Sequence, residues 1–263
     1  MSIAAYRNDQ VGYLQLTDTV GLHPMRFDLH IHSCLSPCAD LEMSPRAIAR
    51  RACEVGLDGI ALCDHNSARN TPALREACAT EGIACLYGME ITTAEELHAL
   101  ALFDTLEAAL ALTEQVYVAL PRKMNVPDVF GEQPVVDAEN QVVDLEWRLL
   151  SAPTNLTVRD AAVVVHNLGG LFIAAHVDRP IFSISSQLGV LAGDEGFDAM
   201  ELTRHAERAL WRQRFPGLPI LCSSDAHQLH DIGSSWNEAD LEAFTVAGLL
   251  AALVLDNIHC VVK

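Results

Sequence analysis

The stretch Phe27-Asp28-Leu29-His30-Ile31-His32-Ser33 decides how the rest of the chain is interpreted. It predicts a short apolar strand over residues 26–32 that ends in two histidines. Because side chains alternate along a strand, His30 and His32 point to the same side. Two imidazoles together at the mouth of a strand are typical of metal ligands, although an isolated pair with this spacing is often accidental. The interpretation therefore depends on what recurs downstream.

Histidines and carboxylates recur at the ends of the later predicted strands. The set comprises Asp64, His65, Glu90, His176, Asp225 and His227. In a parallel α/β barrel the carboxyl ends of the strands share one face, and the active site lies there. Side chains from well-separated segments are therefore expected to meet in one cleft.

His98 lies at the start of its predicted strand rather than at the end. The turn at 94–96 is too short for a parallel crossover, so the strands at 83–93 and 97–103 should form an antiparallel hairpin. His98 would then face back toward Glu90, at the same rim of the sheet.

Strands that alternate with helices predict a parallel sheet with helices outside it, open or closed as a barrel. We expect one domain over residues 1–263, with an insertion at about 121–156 that contains a hairpin at 134–143. A short edge strand is expected at Tyr13–Leu16, and a last helix at 237–255.

Composition narrows the class of protein. The net charge of −18 argues against a nucleic-acid scaffold, so nucleic acid is an unlikely partner. No apolar run is long enough to span a bilayer, and the N-terminus lacks the pattern of a signal peptide. Eight cysteines without regular spacing suggest free thiols in a reducing cytosol, and hence a cytoplasmic protein.

Eight or nine nitrogen and oxygen ligands are more than one Zn²⁺ site needs. They suit two or three ions bridged by a carboxylate such as Glu90, with Mn²⁺, Zn²⁺ or Fe²⁺ all compatible. Clustered divalent ions favour phosphoester chemistry, because they bind phosphate oxygens and generate hydroxide near neutral pH. The sequence thus favours a metal-dependent phosphoesterase.

At this point the chain resembles the PHP (polymerase and histidinol phosphatase) family. The resemblance rests on motifs in the family's order: His30-Ile31-His32-Ser33, Cys63-Asp64-His65-Asn66, Gly88-Met89-Glu90, His98, Ala175-His176 and Ser224-Asp225-Ala226-His227. It implies a distorted (β/α)7 barrel with a trinuclear metal site. Asp64 would orient a neighbouring ligand rather than bind metal itself.

Three groups of ligands follow from the resemblance. The first group is His30, His32, Glu90 and Asp225. The second is Glu90, His98 and His176. The third is His65, His227 and a residue of the first loop.

Counting from His30 gives Cys38 for that residue, whereas counting back from the predicted helix start at Ser44-Pro45 gives Asp40. Asp40 is preferred because an oxygen ligand matches the rest of the site, and a thiolate at Cys38 would shift the preference toward Zn²⁺.

Substrate contacts are expected from residues near these motifs. Arg179, three residues past His176, has the fork geometry to bind a phosphate, although a salt bridge with a nearby acid is an equal alternative. Arg69 and Arg204 are weaker candidates of the same kind, and His205, which flanks a strand-end loop, is a candidate to line the cleft. Asp225 or His227 would relay a proton to the leaving oxygen.

Three other functions remain open on the sequence. They are an exonuclease, a non-catalytic metal-stabilised module that binds partners, and an amidohydrolase that uses similar ligands. The natural substrate and the oligomeric state are not determined by these patterns, because substrate choice resides in loops such as 121–156 and 178–198.

Overall fold

The computed structural model describes residues 24–263, and within them nine strands form one mixed, barrel-like sheet. The strands are β1 Met25–Ile31, β2 Gly59–Leu62, β3 Ala84–Thr92, β4 His98–Phe103, β7 Leu171–Ala174, β8 Ala199–Leu202, β9 Ile220–Cys222, β10 Ser235–Ala239 and β11 His259–Val262. Their order is β11-β10-β1-β2-β3-β4-β7-β8-β9. Edge strand β9 lies beside β10 and β11 at the other edge, so the sheet is nearly closed. The predicted α/β barrel class is confirmed.

Helices cover the sheet between its strands. They are α1 Pro45–Glu54, α2 Thr71–Glu81, α3 Leu106–Ala119, α4 Pro127–Phe130, α5 Val158–Asn167, α6 Ile184–Gln187, α7 Arg208–Arg214 and α8 Val246–Val254. Local sequence explains several boundaries. The Ser44 side chain accepts a hydrogen bond from the Ala47 amide and Pro45 follows it, while Gly82 ends α2 with φ of 72°.

The strand pairing places the ligand-bearing ends together. Strands β1, β2 and β3 are parallel, as are β7, β8 and β9. The predicted hairpin of β3 and β4 is confirmed, with Thr92 opposite His98. The two strands approach so closely that a Cβ on Gly88 would lie 2.2 Å from the Ala101 carbonyl oxygen, which makes glycine necessary two residues before Glu90.

The predicted helix at 237–255 is wrong in its first half. Residues 235–239 form β10 instead, antiparallel to both β1 and β11, and α8 begins only after Thr245 caps it. The Asn237 side chain bonds both the amide and the carbonyl of Cys222 in β9, at 3.0 and 2.6 Å. A side-chain amide thus links β10, which is next to one edge of the sheet, to β9 at the other edge. The strand expected at Tyr13–Leu16 lies outside the described residues.

Residues 121–156 carry the expected hairpin, formed by β5 Pro134–Val136 and β6 Val142–Leu145. The hairpin is a separate two-stranded sheet. Leu149 and Leu150 nevertheless pack into the main core. Gly131, which directly follows α4, packs against the first loop, the loop between β1 and α1. The approach is so close that a Cβ on Gly131 would lie 2.4 Å from the Pro37 carbonyl oxygen.

Two further features concern the described chain as a whole. None of the helices formed by residues 24–263 has the length and apolar character needed to cross a membrane. The eight cysteines, all of which lie within that range, are free thiols.

Candidate metal centre

Two histidines at the end of β1 form one side of a buried cluster. His30 and His32 are fully buried, and their Nε2 atoms lie 3.0 Å apart. Each ring is held through its other nitrogen: His30 Nδ1 donates to Glu201 Oε1 at 3.0 Å, and His32 Nδ1 pairs with Ser36 Oγ at 3.0 Å. Metal-binding histidines are commonly anchored in this way, with one nitrogen left for the ion.

The carboxylate of Glu90, on β3, lies at the centre of the cluster and is 1% exposed. Five histidine nitrogens lie 2.9 to 3.5 Å from its two oxygens, and they belong to His30, His32, His65, His98 and His176. Burial by itself would raise the pKa of Glu90, but the nearby histidines, His98 foremost, hold that pKa well below 4.5. Glu90 is therefore an ionised carboxylate with nitrogen ligands on several sides.

The loop after β9 adds Asp225 and His227. Asp225 Oδ1 lies 3.1 Å from His32 Nε2 and 3.3 Å from His30 Nε2. His227 Nδ1 donates to the Asp225 carbonyl at 2.8 Å. Asp225 and His176 have φ of 49° and 27°, a region that residues other than glycine rarely adopt. Backbone strain of this kind is concentrated at functional sites.

Unpaired buried atoms show that metal ions fit this cluster. His65 Nδ1 and His98 Nδ1 lie 3.0 and 2.9 Å from Glu90 oxygens, yet neither has a hydrogen-bond partner. Buried polar atoms are unfavourable unless something pairs with them, and a cation shared by nitrogen and carboxylate does so. Three overlapping groups have ligand atoms within 4.8 Å of one another: His32, His65 and His227; His30, His32 and Glu90; and His65, Glu90 and His98. The cluster is able to hold divalent metal ions.

Glu201 belongs to this centre, although the sequence analysis did not identify it. It lies on β8, is 1% exposed, and accepts hydrogen bonds from His30 Nδ1 and, at 3.2 Å, from the His176 amide. The signal that could have found it is a single acid inside the apolar strand Ala199-Met200-Glu201-Leu202.

Asp64 acts through Ser36. Its Oδ1 accepts from Ser36 Oγ at 2.7 Å, and the same hydroxyl contacts His32 Nδ1. Asp64 also accepts from the Ser33 amide and hydroxyl at 2.7 and 2.6 Å. This geometry matches the orienting role that was expected of it.

The structure places Asp40 outside the cluster. Its side chain is exposed and accepts from the Glu42 amide at 3.0 Å, so it caps a turn of the loop. Cys38 instead lies beside His65 and His227. Burial opposes ionisation of this thiol, but hydrogen bonds with the two histidines outweigh burial and lower the Cys38 pKa to about 6.

The residues expected to bind substrate separate into two groups. A cavity of about 420 Å³ next to Asp225 is lined by Arg179, Arg204 and His205. Arg179 forms a salt bridge with Asp225. Of the two alternatives expected for Arg179, phosphate binding and a salt bridge with a nearby acid, the structure contains the salt bridge. Arg69 lies elsewhere: it binds Asp144 and Glu146 of the 121–156 segment at 2.7 and 3.1 Å, so the substrate role expected of it is not supported.

Fold and site together define an α/β barrel with a buried histidine-carboxylate centre for divalent metals. The PHP domain family model matches residues 28–120, and the PHP-associated model matches residues 207–256. Both matched regions contain residues of the centre, so the chain contains a PHP domain at residues 28–120 and a PHP-associated region at residues 207–256. Members of the family are metal-dependent hydrolases.

One curated relative and two solved structures are similar to parts of this chain. The chain is 33% identical over 92 residues to an error-prone DNA polymerase of Cutibacterium acnes, a match that covers 32% of this chain and 8% of the polymerase. It is similar in fold to the lesion-specific endonuclease PfuEndoQ from Pyrococcus furiosus, with a TM-score of 0.67, 21% identity, and coverage of 88% of this chain and 56% of the endonuclease. A candidate metal-dependent phosphoesterase from Bifidobacterium adolescentis has a TM-score of 0.55 at 18% identity and covers 89% and 96% of the two chains.

The partial coverage of these relatives limits which of their properties can be transferred to this chain. The chain spans about half of the endonuclease and less than a tenth of the polymerase, and the structural similarities concern the fold. With a DNA endonuclease among proteins of this fold, the expectation that nucleic acid is an unlikely partner is in doubt.

Proposed function

We propose that this protein is a metal-dependent phosphoesterase that hydrolyses a small phosphorylated metabolite or a nucleotide. The observation that carries the proposal is the ionised, buried Glu90 among five histidines, next to a cavity of about 420 Å³ that presents Arg179 and Arg204. Such a centre concentrates cations and arginines where a phosphate dianion would lie. We further propose a single barrel domain, in which residues 121–156 are an insertion that shares its core.

Two or three ions, of Mn²⁺, Zn²⁺ or Fe²⁺, would be held in the groups expected from the family. One group is His30, His32, Glu90 and Asp225, a second is Glu90, His98 and His176, and a third contains His65 and His227. When bound, the ions supply charge neutralisation on phosphate oxygens and activation of water. Glu90 would be shared between ions because histidines from four elements surround it.

The protein's own groups would orient the substrate and move protons. Arg179 reaches the centre already, since it pairs with Asp225. An incoming phosphate would offer the guanidinium of Arg179 a bidentate partner with a higher charge than the Asp225 carboxylate. His227 lies at the rim, with its side chain 28% exposed. Either Asp225 or His227 would pass a proton to the leaving oxygen. Arg204 and His205 line the outer cavity, where the remainder of the substrate would lie.

The test is phosphate release from a panel of phosphorylated metabolites and nucleotides by protein loaded with Mn²⁺ or Zn²⁺. We expect release from a narrow set, abolished by a chelator and by Glu90→Gln. Arg179→Gln should raise KM, whereas Arg212→Gln, which removes a surface arginine paired with Asp256, should change nothing. Metal-loaded protein that releases no phosphate from any of the panel would overturn the proposal.

DNA is the second candidate substrate, since the fold resembles that of an endonuclease over 88% of this chain. The net charge of −18 is the observation against it. Cleavage of single-stranded or lesion-containing DNA by metal-loaded protein, with no activity on small phosphoesters, would favour this function. Ammonia release from amides or nucleobases would instead indicate an amidohydrolase. A full metal complement with no turnover of any kind would indicate a binding module.

A further inference from the structure

The loop between β7 and α6, residues 175–183, carries an arginine and a phenylalanine beside the metal centre. Arg179 forms a salt bridge with Asp225. Phe182 stacks on the ring of His98, with the ring centroids 4.8 Å apart and an angle of 11° between the two planes. Because Asp225 and His98 are both proposed metal ligands, each of the two loop residues contacts the centre where a phosphate would bind.

Hydrogen bonds hold the backbone of this loop so that Phe182 keeps its position. The Phe182 carbonyl accepts from the His98 amide at 2.9 Å, and the Ser183 hydroxyl donates to the Arg179 carbonyl at 2.7 Å. Phe182 has a φ of 54°, in the left-handed region that bulky residues rarely adopt. Strain of this kind persists only where surrounding contacts impose the conformation, and it is concentrated at active sites and ligand contacts.

The ring of Phe182 is open to solvent at this place. Single exposed apolar side chains are common on protein surfaces and need no special explanation. Phe182, however, is 38% exposed although one face of its ring lies against His98, and its neighbour Ile181 is 59% exposed. An aromatic surface is thus accessible beside a proposed metal ligand, in the same loop as the arginine that is expected to bind phosphate.

An accessible aromatic ring of this kind is suited to bind another planar ring. Nucleobases and other unsaturated rings stack on phenylalanine, whereas a sugar or a short alkyl chain has no π-face to offer. Ligand sites commonly combine aromatic surface with a few polar groups that fix the orientation of the ligand. Arg179 and Phe182, three residues apart, supply such a pair: a cation for a phosphate and an apolar plane for the group esterified to it.

We propose that Phe182 is a specificity-determining residue, and that the substrate is a small phosphate ester whose leaving group carries a planar unsaturated ring, as a mononucleotide does. The inference rests on the proposed phosphoesterase function and narrows its substrate class. Arg179 would bind the phosphate, and the ring of the leaving group would stack on the face of Phe182 that is turned away from His98.

A matched pair of substrates tests this contact. Adenosine monophosphate and ribose phosphate, each esterified at the primary hydroxyl of the sugar, differ only in the planar base. We expect metal-loaded wild type to favour the nucleotide in kcat/KM by at least about fivefold. Phe182→Leu, which keeps an apolar side chain without a planar ring, should raise KM for the nucleotide about 5- to 100-fold with kcat nearly unchanged. It should leave both constants for ribose phosphate as they are.

Two further variants serve as controls. Phe182→Tyr keeps the planar ring and should retain the preference for the nucleotide. Phe244→Leu should retain it as well. Phe244 also packs against an aromatic ring, that of Phe27, with centroids 5.6 Å apart, but this pair lies near the start of β1, whereas His30 lies near its end.

Binding without turnover separates this proposal from the phosphoesterase proposal. The methylenephosphonate analogues of the same two compounds have a C–P bond that resists hydrolysis, and calorimetry on metal-loaded protein gives their dissociation constants. The nucleotide analogue should bind wild type at least about fivefold more tightly than the ribose analogue, and Phe182→Leu should remove that difference. The metal content of each variant is measured in parallel, because Phe182 contacts His98.

The proposal is overturned if wild type binds the two analogues equally. It is also overturned if Phe182→Leu weakens both by the same factor, since Phe182 would then only support His98. Tighter binding of a single-stranded oligonucleotide with a terminal phosphate than of the mononucleotide would overturn the assignment of a small substrate. Phosphate release from ring-free esters alone would refute this proposal and leave the phosphoesterase proposal standing. Preferential binding of the nucleotide analogue by a protein that hydrolyses no ester would refute the phosphoesterase proposal and leave the stacking role of Phe182 standing.

Discussion

Glu201→Gln should weaken metal binding while the protein stays folded. Glu201 accepts hydrogen bonds from the His30 ring at 3.0 Å and from the His176 amide at 3.2 Å. It therefore holds both a ligand and the strained backbone of a second one. Glutamine has nearly the same shape, keeps one acceptor oxygen and loses the charge that stabilises the His30 ring orientation.

The magnitude follows from these contacts. The substitution replaces one hydrogen bond to a charged group, which contributes about 1.5–3 kcal/mol when both partners are buried. Each 1.4 kcal/mol corresponds to a tenfold change in a binding constant, so the expected loss is roughly 10- to 100-fold in metal affinity. The same range is typical for removal of a carboxylate behind a metal-binding histidine.

The assay is competition for Zn²⁺ or Mn²⁺ against a chelator of known affinity, together with thermal unfolding of the metal-free protein. Glu195→Gln is the matched control. Glu195 is also buried, but it accepts only from the Ala192 and Gly193 amides of its own loop. Equal metal affinity in Glu201→Gln and wild type, or equal losses in the two variants, would refute the reasoning.

Three further outcomes are expected. Addition of the native metal at 100 times its dissociation constant should raise the free energy of unfolding by about 2.7 kcal/mol, and a chelator should reverse this in a thermal scan. Gly88→Ala should destabilise the fold by at least about 2 kcal/mol in urea, because its Cβ would meet a backbone oxygen at 2.2 Å. Gly217→Ala, whose Cβ would meet nothing within 4 Å, should change stability by less than about 0.5 kcal/mol. Glu146→Gln should cost about 1–3 kcal/mol at neutral pH. Burial raises the Glu146 pKa, but hydrogen bonds led by the Arg148 amide outweigh it and lower that pKa below 4.5. The greater stability of the wild type relative to Glu146→Gln should therefore persist above pH 4.5 and vanish as the pH falls through the lowered pKa. Urea titrations at several pH values would measure this, and a stability difference that grows in acid would contradict it.

Side-chain alternation and turn length were sufficient to predict most of the centre. The spacing of His30 and His32 placed both on one side of β1, and the short turn before His98 required a hairpin that turns it toward Glu90. The ends of the other predicted parallel strands supplied the remaining residues, and the family motifs contain the same ones. These inferences depend on local geometry, which sequence specifies directly.

Interactions between distant segments account for what was missed. Glu201 meets His30 across 171 residues, and no local pattern connects them. The position of Asp40 outside the cluster depends on long-range contacts of its loop, such as the hydrogen bond from the Asp40 amide to the His227 carbonyl. The helix predicted at 237–255 included residues 237–239, yet pairing with β1 and β11 makes residues 235–239 a strand.

The division of the ligands between the two halves of the chain has a consequence for biosynthesis. Five of the proposed ligands precede the 121–156 segment and three follow it: His30, His32, His65, Glu90 and His98, then His176, Asp225 and His227. A nascent chain that has been synthesised as far as residues 121–156 contains Glu90 and its neighbouring histidines but not yet the second carboxylate, Asp225. An ion captured at that stage would be held by an incomplete set and would exchange readily. With the proposed ligand set, durable loading would require emergence of residue 227, after which the ion would link the first-made half of the barrel to the last.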